Sequence, residues 1–427
     1  MKIAIINGHL IDPANAIDGL HNLYIDSGII VAVGEAPAGF SADQTINAEG
    51  EIVSPGFIDL QARLREPGES HKGTIASETA AAIKGGVTTL CLPPDTLPII
   101  DSTVVAEQVL HKANIMGSAR ARVLPLGALT KGLEGEQLST MDGLISAGCI
   151  ALSNANRPIR NTLVQRRAFE YAASLNIMVR LQPEDAWLAE GGCVHEGEIS
   201  SRLGLTGIPE CAEVIAVSRD LLLIEQTGVK AHFGPLSSSR SIELIAEARE
   251  RGLEVTADVA AHQLILTEID VDPFNSLCHV RPPLRSQRGL DGLRAALADG
   301  LFTAICSDHQ PHEADAKLAP FAETEAGISA IETLLPLTLK LVSEGVLSMS
   351  SAIAHLTSKP AQLLGLDQGN LAVGSVADIT IFDPHKDWVV SEESLISHGK
   401  NSPFIGWEMQ GAVSTTLLDG EIVYTHE

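Results

Sequence analysis

Aromatic residues are scarce, at 4% of 427 positions, and basic residues are outnumbered: 29 Lys and Arg face 54 Asp and Glu, for a formal net charge of −25. Such a surface repels phosphate backbones and anionic headgroups, which sets nucleic acid and membrane surfaces aside as partners. No run approaches the roughly 18 apolar residues of a membrane helix. The opening MKIAIINGHLIDP lacks the small-residue cleavage site of a secretory signal. Cysteines at 91, 149, 193, 211, 278 and 306 never pair as Cys-x-x-Cys. They make neither a zinc knuckle nor a disulfide framework, and read as buried apolar residues in a reducing, cytoplasmic compartment. Loops of the G-x-x-x-x-G-K-[ST] and G-x-G-x-x-G kinds, which cradle phosphates, are missing too. What is there is 45% hydrophobic and 19% charged, the proportions of a globular protein.

The first fifty residues carry short β-branched runs punctuated by turn residues (KIAIINGHLID, NLYIDSGIIVAVG, QTINAEGEIVSPG), and the last sixty return to that style in GSVADITIFDP and AVSTTLLDGEIVY. Asp419-Gly420 is a tight hairpin signal, and the two ends are expected to pair into one β domain. Between them, apolar strands alternate with Ala-rich helical stretches seven or eight times, which argues for a closed parallel barrel with its chemistry at the carboxyl ends of the strands.

The densest cluster of potential ligands there is Ser307-Asp308-His309-Gln310-Pro311-His312, after the strand FTAIC. A hydrolytic zinc site needs at least three convergent N, O or S ligands and an open position for water. The other strand ends offer Gln61, Arg63, Asn154, Gln182 and Pro235, which are poor donors or, for Arg63, a permanent cation. The plainer reading of Asp308 and His312 is a buried polar pair satisfied by backbone groups or arginines. His232 and His262 stand alone in apolar strands, where a core or rim role outweighs that of a base. Gly85-Gly86 suits a helix cap and Ser237-Ser238-Ser239 a helix N-cap. Glu184-Asp185 and Glu196 with Glu198 read as solvated loop carboxylates.

Four separated motifs carry a resemblance: Pro55-Gly56-Phe57-Ile58-Asp59-Leu60, Leu64-Arg65-Glu66-Pro67-Gly68, Ser307-Asp308-His309 with Pro311-His312, and Asn401 to Glu408. Together with the stretch 195–213 and Pro282-Pro283-Leu284-Arg285, they resemble dihydroorotases of the amidohydrolase superfamily. The resemblance implies an α/β fold: a (β/α)8 TIM-like barrel over 54–365 and a composite β-sandwich from 1–53 and 366–427. It places the family's His-x-His at Gln61 and Arg63, its bridging carboxylate at Asn154, and two further histidines at Gln182 and Pro235. Only the last-strand acid, Asp308, is kept. Arg65 and His312 match residues that grip the substrate carboxylate, whereas Asp95 and Arg281 replace family asparagines.

The implied expectation is a pseudoenzyme without zinc or any other cofactor, with Asp308, His312 and Arg65 as vestiges. It resembles the inert dihydroorotase-like chains that accompany aspartate carbamoyltransferase in some bacteria. The partner would be that transferase's catalytic chain, held and stabilised for pyrimidine biosynthesis in a hetero-dodecamer, and a homodimer is compatible with it. Two alternatives stay open. One is a cyclic amidohydrolase, zinc-dependent or metal-independent, with a site moved to Asp308, His309 and His312 with His232 or His262. The other is a sensor that reads a carboxylate or pyrimidine through Arg65 and His312.

Overall fold

The computed structural model describes residues 1–115 and 120–426. Eight short, buried, apolar strands run parallel in chain order: β1 (Phe57–Asp59), β2 (Val87–Leu92), β3 (Arg122–Ala128), β4 (Ala151–Ser153), β5 (Val179–Leu181), β6 (Ala231–Phe233), β7 (Val255–Ala260) and β8 (Ala304–Cys306). Helices return the chain between most of them, and side-chain caps start several: Thr74 with Ser77 for Ile75–Lys84, Asn161 for Thr162–Ser174, and Ser286 for Gln287–Ala298. Gly86, at φ +82°, follows the first helix and turns the chain into β2, as its Gly-Gly pair suggests.

The seam between β8 and β1 is closed beyond the strands rather than along them. Ala62 and His309 form a parallel bridge, with His309 N donating to Gln61 O (3.2 Å) and Arg63 N to His309 O (2.9 Å). Asp59 supplies the rest of the clasp. Its Oδ1 accepts from Ser307 N (3.0 Å) and Gln61 N (3.2 Å), and its Oδ2 accepts from Ser307 Oγ. Burial raises the Asp59 carboxyl to about 6 in spite of those bonds.

Strands from both ends of the chain share a six-stranded sheet. Ile52–Pro55 lies antiparallel to Ile379–Val389, with Pro55 opposite Ile379 and Ile52 opposite Phe382. A four-stranded sheet from the first 47 residues packs on it through Ile3, Ile5, Leu23 and Ile25 against Leu10, Val53, Ile379 and Ile381. Asp419 and Gly420, at φ +51° and +73°, form the expected hairpin turn.

Residues 390–407 leave this sheet and reach the barrel. Asn401 Nδ2 donates to Gln310 O and Gly327 O (both 3.0 Å), while its Oδ1 accepts from His312 N (2.8 Å). The motif around Asn401 is therefore a structural clamp on the loop after β8. Asn401→Ala strands three buried backbone groups, and an expected loss of about 2–3 kcal/mol is measurable by urea unfolding.

Two sequence expectations need correction. Glu196 and Glu198 are solvent-exposed as expected, but their stretch is not a plain loop: Val194–His195 pairs with Gly207–Ile208, and Glu198–Leu203 is helical between them. Arg285 holds this excursion through Ile208 O (3.1 Å) and His195 Nδ1 (3.1 Å). The trio Ser237-Ser238-Ser239 does open the helix Ser239–Glu250, with Ser238 at the N-cap position, but its hydroxyl makes no cap bond. The Glu213 carboxylate sits at that helix start, accepting from Ser237 N (2.9 Å), Ser237 Oγ (2.6 Å) and Ser238 N (3.0 Å), so the chain's own acid fills the anion position.

Candidate active site

The carboxyl ends of β1 and β8 bring Gln61, Arg63 and Asp308 together. Asp308 Oδ1 accepts from Gln61 Nε2 (2.6 Å), Gln310 Nε2 (3.1 Å) and, more distantly, Arg63 Nη1 (3.4 Å). The Arg63 Nε donates to Asp95 Oδ2 (2.8 Å), so one guanidinium spans two carboxylates inside the mouth. Burial opposes its charge, yet Asp95 and Asp308 hold its pKa above the usual arginine value. At Asp308 burial dominates and raises the pKa against the pull of Arg63, Gln61 and Gln310. Both Asp308 (φ +48°) and Arg65 (φ +61°) sit in the left-handed region, as does Ala155 (φ +49°) after Asn154. Such conformations cost about 1–3 kcal/mol each and persist only where the surroundings enforce them.

A second buried charge group joins β5, β6 and β7; the sequence points to its His232 but not to Arg180 or Asp258. Arg180 on β5 donates through Nη2 to Asp258 Oδ2 on β7 (2.9 Å), and His232 Nε2 on β6 meets the same oxygen (3.0 Å) while its Nδ1 meets Thr256 Oγ1 (2.8 Å). Burial keeps His232 below its ordinary value, so the ring is neutral, donating from Nε2 and accepting from Thr256. Burial would raise Asp258, but Arg180 and His232 overcome it and hold the carboxyl low. Its Oδ1 lies so near Gly234 that a Cβ there would fall 1.8 Å away, so only glycine fits before Pro235. The signal was present in the sequence as single charged residues inside the apolar runs IMVRLQP and EVTADVA.

The remaining candidates point elsewhere. His309 is engaged at both nitrogens, Nε2 with Glu78 Oε2 (2.9 Å) and Nδ1 with Ala330 N (3.0 Å). Arg65 is nine-tenths buried and donates to Pro311 O (2.9 Å), with His312 Nε2 beside it at 2.9 Å. Burial and the Arg65 charge push His312 down to about 2, so that imidazole stays neutral. His262 is buried with no protein partner at Nδ1, and burial lowers it to about 4. Arg281 forks onto Glu184 rather than facing the mouth as a free cation. Asn154 is held by Thr130 Oγ1 (2.7 Å) and Arg157 O (2.6 Å), and Gln182 by Arg281 O (3.2 Å).

Residues 50–241 match the model of the Dihydro-orotase-like family, and 168–423 match that of the Amidohydrolase family. Over all 427 residues the chain is 51% identical to the Dihydroorotase-like protein of Pseudomonas putida, with both sequences covered in full. It belongs to the dihydroorotase-like amidohydrolases. The Dihydroorotase of Trichlorobacter lovleyi is 40% identical over 425 residues, covering 100% of each. Among solved structures, the L-hydantoinase (dihydropyrimidinase) of Arthrobacter aurescens superposes with a TM-score of 0.88 at 23% identity, over 99% of this chain and 96% of that one, which supports the barrel and sandwich fold.

Dihydroorotase-like barrels of this family imply a divalent metal at the mouth, and the residues present do not fit one. Among the described residues no three His, Cys, Asp or Glu side chains converge. The sole carboxylate at the family positions, Asp308, already accepts from Gln61 and Gln310, and the Arg63 guanidinium stands where it would repel a dication. Small cavities of about 20 Å³, among Asn154, Arg180, Gln182 and Asp220, and about 10 Å³, among Gln182, Glu184, Pro235 and Arg281, lie on the β4 to β6 side of the mouth.

Proposed function

We propose that this dihydroorotase-like chain is a non-catalytic subunit that holds and stabilises aspartate carbamoyltransferase in pyrimidine biosynthesis, without zinc, in a cytoplasmic hetero-oligomer of dodecamer size. One observation carries the non-catalytic half: Arg63 joins Asp95 and Asp308 where hydrolysis would need a metal-activated water. A guanidinium remains protonated at any working pH and neither binds nor ionises water as a zinc ion does. The partner half rests on the resemblance of the whole chain, in which fold-holding motifs such as Asn401 and Arg285 are kept while the ligand positions are replaced.

Co-expression with the same organism's carbamoyltransferase chain tests both halves. The expected outcome is one large mixed species by light scattering, transferase activity that depends on this chain, and no turnover of dihydroorotate or carbamoyl aspartate by this chain alone, with or without added zinc. Turnover abolished by Asp308→Ala in a folded protein would instead establish the relocated amidohydrolase. Separate elution of the two chains with unchanged transferase activity would overturn the scaffold.

A further inference from the structure

On this strongly acidic chain one stretch is locally basic: residues 154–169 hold Arg157, Arg160, Arg166 and Arg167 and no Asp or Glu. Arg166 and Arg167 pair with Glu170 on their own helix. Among the described residues, Arg157 and Arg160 have no carboxylate at ion-pair distance; Arg157 reaches only Gly132 O, and the Arg160 guanidinium lies 4.7 Å from the centroid of the Trp187 ring. That indole is 66% exposed. Its backbone is fixed, because Trp187 N and Leu188 N both donate to Asp185 Oδ1 (3.0 Å) and Asp185 N donates to Ala212 O (2.8 Å). The loop is thereby seated on the helix Cys211–Thr227.

The same helix turns Ile215 and Leu222 outward, seven residues apart on one face, at 47% and 67% exposure. The neighbouring helix, tied to it by Gln165 Nε2 to Asp220 Oδ1 (2.8 Å), adds an exposed Leu163 in its first turn. Exposed tryptophan and arginine beside large aliphatic side chains have the composition of binding hot spots, and the fixed backbone and the stacked pair lower the ordering cost of docking.

We infer that Arg157, Arg160, Leu163, Trp187, Ile215 and Leu222 form a docking surface for a different protein chain, one that presents carboxylates around an apolar centre. A second copy meeting patch to patch would bring two basic patches into one interface, and a nucleic acid would meet the −25 chain as a whole. The inference rests on the scaffold reading, and the chain that docks here is the carbamoyltransferase.

Co-expressed full-length chains test it, with three variants of this subunit: the pair Arg157→Glu and Arg160→Glu, the neutral Trp187→Ser, and Lys386→Glu on the sandwich sheet as a control. Wild type and control are expected to form the mixed species with equal affinity. The paired reversal should weaken it about tenfold or more and flatten its salt dependence, and Trp187→Ser should weaken it similarly, with each variant melting as the wild type does. Either of these two variants binding with wild-type affinity overturns the patch while leaving the scaffold intact. A wild-type chain that does not assemble overturns the scaffold reading and the patch with it.

Discussion

Arg63→Met is expected to destabilise the chain by about 3–5 kcal/mol, because it leaves the buried Asp308 and the partly buried Asp95 without their cation. Asp95 loses its hydrogen-bonded guanidinium at 2.8 Å, and Asp308 keeps only the neutral amides of Gln61 and Gln310. Methionine matches the length of the aliphatic stem, so the loss reports charge and hydrogen bonding more than packing. Arg63→Lys keeps the charge without the fork and should fall between the two. The pH dependence has a fixed sign. Asp308 is raised in the folded protein, so the native state holds its proton longer than the unfolded chain and stability falls as pH rises through that folded value. Removing Arg63 raises Asp308 further, and the deficit of the variant should be smaller near about pH 5 than near about pH 8. Urea unfolding at both values checks this. A deficit below about 1 kcal/mol at the higher pH would mean that water reaches the mouth and that these charges are not a structural unit.

The size of that effect follows from how the buried carboxylates are neutralised. A carboxylate left in a protein interior is costly, and a bound dication is one way to neutralise it while polarising water for hydrolysis. In this barrel two guanidinium groups do the neutralising: Arg63 for Asp95 and Asp308, Arg180 for Asp258. Each supplies directed donors and occupies volume with its own stem, so charge balance is restored by the chain's own side chains. Left-handed backbone at Arg65 and Asp308 survives because Pro311 O, Asn401 and the β1 to β8 clasp still hold those loops.

Strands were legible because each is a short apolar run closed by a turn signal, as in GFIDL, VTTLCLP and FTAICSD, and all eight barrel strands fall within such runs. The candidate site was legible only as an inventory. Which side chains meet across the mouth depends on pairs such as Gln61 with Asp308, 247 positions apart, and no local pattern encodes that separation. Arg180 and Asp258 escaped notice because each is one charge in a strand that otherwise reads as core, and their match appears only when β5 and β7 flank β6. The excursion over 194–208 was misread because its order comes from Arg285, some eighty residues away, rather than from its own polar sequence.

Asp258→Asn removes the one anion that Arg180 contacts among the described residues, and about 3–4 kcal/mol of stability should go with it at neutral pH. The substitution preserves shape, so the tight approach of Gly234 to this side chain is undisturbed. The Asn amide has one oxygen where Arg180 Nη2 and His232 Nε2 now share Oδ2 of a carboxylate, and no charge to offset the guanidinium. Here the pH dependence runs opposite to that of Arg63→Met. Asp258 is depressed in the folded state, so its contribution is complete above the unfolded value of about 3.9 and is lost as pH falls through the lower folded value. The gap between wild type and Asp258→Asn should therefore narrow only in acid, whereas the Arg63→Met gap widens toward alkaline pH. Arg180→Met alone should cost a comparable amount, and combining it with Asp258→Asn should cost less than the sum, since no lone buried charge remains. A double variant whose losses simply add would show that the two residues do not act as a pair, and the electrostatic account of the filled barrel would fail there.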